Sequence, residues 1–124
     1  MRQPDRLADL VVELLDPLGP VSARRMFGGV GLFHRGLMFG LIVRDELFLK
    51  AGAANLAAFE AAGEAAFSYE TRTGTHTLRS YWRCPPDLLD DGETFRDWAR
   101  KAIEAATEAS RAKPKAPRRR ATGP

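Results

Sequence analysis

Apolar residues recur at steps of three and four over Leu7, Leu10, Val11, Leu14, Leu15 and Leu18, the spacing that lines one face of a helix. Pro4 suits a first helical turn, and Pro17 followed by Gly19-Pro20 ends the pattern, so a helix is predicted over about residues 4–16. From residue 21 to residue 50 the grammar changes to that of strands. Glycines and short polar pairs divide this stretch into SARRMF, GGVGLFH, LMFGLIV and ELFLK, with His34-Arg35-Gly36 and Arg44-Asp45 as tight hairpin connections. LMFGLIV is nearly all apolar and is predicted to be the central strand of an antiparallel meander. SARRMF reads either as the start of the first strand or as a separate lead-in.

Residues 53–62 are rich in strong helix formers, with Leu56 and Phe59 marking the buried side and Gly63 ending the helix. A second strand pair follows. Phe67 and Tyr69 alternate in one arm, His76, Leu78, Ser80, Trp82 and Cys84 in the other, with Thr73-Gly74 at the turn. Pro85-Pro86 stops that strand. Asp90 with Glu93 resembles a capping box for a last helix, whose buried stripe is Phe95, Trp98, Ala99, Ala102 and Ala106. Trp82 and Trp98 are therefore expected in the core. The order α-β-β-β-α-β-β-α predicts a two-layer α+β domain, an antiparallel five-stranded sheet with helices on one face.

Length and charge sharpen this picture. A chain of 124 residues is the common size of one domain. Net charge is +3, but residues 111–124 contribute +6 and the preceding residues −3. The reading is thus a domain over residues 1–110 and a disordered basic tail over 111–124. The tail cations Lys113, Lys115, Arg118, Arg119 and Arg120 could attract nucleic acid weakly and without sequence preference, whereas the body has no net charge that would do so. Cys84 is the one cysteine, which rules out an intramolecular disulfide and leaves a cysteine-based zinc site short of ligands. No stretch approaches the roughly 18 apolar residues that span a bilayer, so no membrane contact is expected and a cytoplasmic location is.

Few residues suggest chemistry. The segment Arg24-Arg25-Met26-Phe27-Gly28-Gly29-Val30-Gly31 sets two arginines beside a glycine run, which could hold a phosphate or carboxylate. Its spacing matches neither common phosphate-loop pattern, and a bulge or bend of closely packed backbone is the better reading of the glycines. An exposed row of Arg79, Tyr81 and Arg83 would be a contact patch, since Tyr and Arg are favoured at binding hot spots. His34 and His76 are far apart and read as solvated, and Cys84 reads as a buried inert thiol. No catalytic constellation, metal site or cofactor is expected. Partner contact is assigned to Arg24, Arg25, Phe27, Gly28, Gly29, Arg79, Tyr81 and Arg83, with a small anionic ligand or nucleotide at the Arg24-Arg25 and glycine segment as the alternative.

The stretches RRMFGGVGLF (24–33), LMFGLIVRDELFLKA (37–51), AAFEAAG (57–63), FSYE (67–70) and SYWRCP (80–85) together resemble the TfoX (Sxy) N-terminal domain family, over residues 4–108. The resemblance implies the same α+β order and a link to competence regulation, where the name-giving members act as transcriptional co-activators. Those members carry a second, helical domain, which the residues after the last predicted helix do not resemble. The family implies no catalytic residues. The expected function is a non-enzymatic regulatory or adaptor module with a protein partner. Its oligomeric state stays open, a homodimer included.

Overall fold

The computed structural model describes residues 3–26 and 28–112. Helix α1 (Gln3–Leu14) leads through a 3-10 turn into a four-stranded meander of β1 (Val21–Met26), β2 (Gly29–His34), β3 (Leu37–Val43) and β4 (Glu46–Lys50). Helix α2 (Leu56–Ala61) precedes the hairpin of β5 (Ala66–Thr71) and β6 (Gly74–Arg83), and after a second 3-10 turn α3 (Gly92–Ala112) closes the fold. The strands form one sheet in the order β1-β2-β3-β4-β6-β5, with every pair antiparallel.

The sheet therefore has six strands, not the five expected, because the segment around SARRMF is a strand of its own. Met26 pairs with Gly29, so β1 and β2 join through a tight hairpin. Ser22, Ala23, Arg24 and Arg25 are all exposed on this edge strand, which explains why alternation did not reveal it. The β2–β3 and β3–β4 connections are two residues long. Arg35, Arg44 and Asp45 take positive φ of 52°, 51° and 67°, the backbone that matches the twist of tight hairpins. In the last hairpin the turn is Arg72-Thr73, with Gly74 already in β6.

All three helices cover one face. Val11 and Leu15 at the first helix, Phe59 of α2, and Phe95, Ala99 and Ala102 of α3 meet Leu32, Ile42 and Leu49 of the sheet, and all are fully buried. Trp82 and Trp98 are half-buried at the margin of this core rather than inside it, their rings 6.3 and 5.1 Å from that of Phe59. The cap of α3 is Asp91, one residue after the expected Asp90, because the 3-10 turn Pro86–Asp90 takes up Asp90. The Thr94 hydroxyl donates to Asp91 Oδ2 at 2.8 Å and the Thr94 N–H to Oδ1 at 3.4 Å. These bonds hold the Asp91 carboxyl below its ordinary pKa. Arg96 of α3 reaches the C-terminal end of α1 and donates to the Leu14 carbonyl at 3.1 Å. Helix α3 runs through Ala112, two residues past the predicted domain end. Lys113, Lys115, Arg118, Arg119 and Arg120 lie outside the described residues.

Candidate interaction face

Two irregularities decide what lies on the other face. The β2–β3 register shifts between Leu32 and Phe33, so that Leu32 opposes Gly40, Phe33 opposes Met38, and Phe39 is the extra residue. A bulge of this kind reverses the alternation beyond it. Phe39 and Ile42 consequently both point to the helices, while Met38, Leu41 and Val43 share the uncovered side. The β5–β6 ladder shifts likewise: Ala66 opposes Trp82 but Phe67 opposes Leu78. The expected single face of His76, Leu78, Ser80, Trp82 and Cys84 is thus split, because the residues between Leu78 and Trp82 interrupt the alternation. Trp82 and Cys84 belong to the helix side, whereas Leu78 pairs with Phe67 on the opposite one. The Trp82 indole N–H donates to the Arg79 carbonyl at 3.0 Å, within the interrupted stretch.

On this second face Phe48, Phe67 and Tyr81 make a small cluster of their own, with Met38, Leu41 and Val43 packed against it. Phe48 and Phe67 meet edge to face at 4.9 Å, Phe67 stacks with Tyr69, and Tyr69 stacks with His76. Beyond the cluster lies an open groove of about 540 Å³, lined by Met26 of β1, by β3 residues, by Phe67 and Tyr69 of β5, and by Leu78 of β6. Strands from the two ends of the sheet line one groove only if the sheet curls around it. This face is concave. Gly31 lets the two methionines converge there, since a Cβ at that position would stand 2.6 Å from the Met26 sulfur and 3.0 Å from that of Met38. At Gly29, a Cβ would collide with the Ile42 carbonyl oxygen.

The predicted contact residues do not form one patch. Arg24 pairs with Gly31 and lies on the concave side, its guanidinium 4.7 Å above the Phe33 ring. Arg25 pairs with Val30, a residue of the helix-side core, so strand alternation turns the two arginines to opposite faces. Gly28 sits in the β1–β2 turn, and Phe27 lies outside the described residues. The row of Arg79, Tyr81 and Arg83 is not an exposed stripe. Tyr81 is buried, its hydroxyl donates to the Met38 carbonyl at 3.1 Å, and burial pushes its pKa up to about 12. Arg83 is partly buried between two carboxylates, 3.0 Å from Glu64 and 3.4 Å from Glu46. The hydrogen bond to Glu64 is the main reason its pKa is raised. Arg79 alone of the three is exposed.

The groups a reaction would recruit stand apart. Cys84 is buried among the core side chains, and that burial, reinforced by the Glu64 charge, raises its pKa to about 12. His34 has its ring Nε2 3.4 Å from the Leu18 carbonyl, while His76 is held by Thr71 and Thr73 in the other hairpin. Among the described residues no three His, Cys, Asp or Glu side chains are grouped as for a metal ion. Asn55, which the sequence did not single out, is buried and structural: it accepts from the Gly52 N–H at 2.7 Å and donates to the Lys50 carbonyl at 3.1 Å.

A family model, the TfoX N-terminal domain, matches residues 13–106, from the end of α1 almost to the end of α3. The chain belongs to the TfoX N-terminal domain family. It is also similar to the DNA transformation protein TfoX1 of Aliivibrio fischeri, with 36% identity over 64 residues. Those residues are 52% of this chain and 31% of that protein, so the likeness spans about a third of the relative's length. Among its described residues, this TfoX N-terminal domain is a sheet with helices on one face and an uncovered concave face, and no helix is long and apolar enough to cross a membrane.

Proposed function

We propose that the chain is a non-enzymatic regulatory module that acts in DNA transformation by contacting a protein partner. The observation that carries this reading is the uncovered concave face, where Tyr69 and Leu78 remain 43% and 39% exposed beside an apolar cluster. Large apolar side chains exposed side by side mark interaction surfaces. Family membership and the likeness to a DNA transformation protein supply the process. Any attraction to duplex DNA is assigned to the cations of residues 111–120, with a log–log salt slope no steeper than about −5.

The test is made in the source organism, by measuring transformation frequency and transcripts of DNA-uptake genes after deletion of the gene. Deletion should lower both, and the wild-type gene should restore them, as should Cys84→Ser, since the module needs no thiol. Unchanged transformation after deletion would remove the proposed process. A purified protein that turned over a substrate and lost that turnover with Cys84→Ser would replace the module by an enzyme.

A further inference from the structure

We propose that the concave groove receives a short amphipathic segment of a partner protein, apolar where it enters and carrying Asp or Glu beside the apolar residues. This rests on the reading of the chain as a contact module and specifies what its face recognises. Tyr69 and Leu78 are two of the three large apolar side chains exposed among the described residues, and both line the groove. Its volume of about 540 Å³ lies within the range of binding clefts, roughly 300–1,000 Å³. Met26 and Met38 form an adaptable wall, because unbranched thioether side chains refit to different apolar guests.

Charge selects the guest. Arg44 lines the groove and no carboxylate does, among the described residues. Arg24 adds a second cation on the same face, while the nearby Glu46 is already engaged by Arg83. An incoming acidic flank would meet guanidiniums that fork onto carboxylates. The same cations argue against two other occupants. The chain's own residues 113–124 carry Lys113, Lys115, Arg118, Arg119 and Arg120 and no acid, so they would meet like charge. A second copy placed face to face would bring another set of the same cations and, from the groove lining, no carboxylate to meet them. Single-stranded nucleic acid would need free aromatic faces for base stacking. Here Arg24 covers Phe33, Lys50 stands 5.0 Å over Tyr81, and Tyr69 already stacks with both Phe67 and His76.

The experiment selects a random short-peptide display library on the full chain, then follows the selected peptides by the carbon-13 methyl signals of Met26 and Met38. Enriched peptides should combine Leu, Ile or Phe with Asp or Glu, and should shift both methyl signals in a saturable way. Arg24→Glu with Arg44→Glu should reverse the preference toward Lys-bearing versions of the same peptides. Tyr69→Ala with Leu78→Ser should abolish the methyl shifts while circular dichroism stays that of the folded chain. Enrichment of basic peptides, binding that leaves both methionines unmoved, or no enrichment would overturn the proposal. So would methyl shifts produced by protein concentration alone, which indicate a second copy, or by oligothymidylate alone, which indicate nucleic acid. If peptides fail to dock but gene deletion still lowers transformation, the groove is refuted and the regulatory reading stands.

Discussion

The two faces of the sheet are built from adjacent residues of the same strands, yet one is sealed and the other open. On the helix side, Phe39, Leu32, Ile42 and Leu49 are at 0% exposure under three helices. On the concave side, Phe48, Phe67 and Tyr81 are buried against one another but leave Tyr69 and Leu78 in solvent. The first face holds the fold, and the second spends apolar surface without sealing it. Apolar content alone does not separate a core from a contact surface; what lies above it does.

Substitutions at matched positions test this contrast. Phe95→Ala on α3 should cost about 3–5 kcal/mol in denaturant titration, since the ring is fully enclosed. A loss below ~1 kcal/mol would mean that the helix layer is not the source of stability. Gly29→Ala should cost roughly 1–3 kcal/mol, because backbone must shift where the new methyl meets the Ile42 carbonyl. Gly31→Ala should cost less, because the nearest obstacle there is the flexible end of Met26, with the Met38 sulfur and the Phe33 ring edge each at 3.0 Å, and no backbone atom has to move.

Alkaline pH separates the faces in another way, since Cys84 lies on one and Tyr81 on the other. Their folded pKa values, each about 12, exceed the ordinary values of 9.0 and 10.0, so the unfolded chain releases these protons first. Stability should therefore hold steady below pH 9 as far as these two groups are concerned, and fall as pH rises from about 9 toward 12. Tyr81→Phe should flatten the upper part of that fall, measured by urea titrations across the pH series. Arg83→Met should cost about 1 kcal/mol or less, because the pair with Glu64 is only partly shielded. Leu78→Ser, on the open face, should change stability by less than ~0.5 kcal/mol.

What the sequence made legible follows the same division. Regular periods exposed the first helix, the last helix and the short turns at Arg35-Gly36 and Arg44-Asp45, because each depends on local residues. The strand β1 escaped, since an edge strand with four exposed residues in succession shows no alternation. Phe39 and the stretch between Leu78 and Trp82 escaped for a different reason. A bulge is set by the partner strand, and one misplaced residue transfers everything beyond it to the wrong face. The concave groove was therefore invisible as a unit, although Met26, Tyr69 and Leu78 were each in view. Arg24 was noticed, but its separation from Arg25 required the register.

The short connections of the meander carry a further consequence, for the order in which the fold comes together. Three ladders, β1–β2, β2–β3 and β3–β4, each close over a very short span of chain. The β4–β6 ladder joins Phe48 to Arg83 through only three residue pairs and across a long intervening segment. Closing the longer loop costs more chain entropy and is rewarded by fewer bonds. The meander should accordingly form ahead of the rate-limiting step, and the β4–β6 seam should zip up after it. Leu49→Ala, on that seam, would then chiefly accelerate unfolding, whereas Leu32→Ala within the meander would chiefly slow refolding.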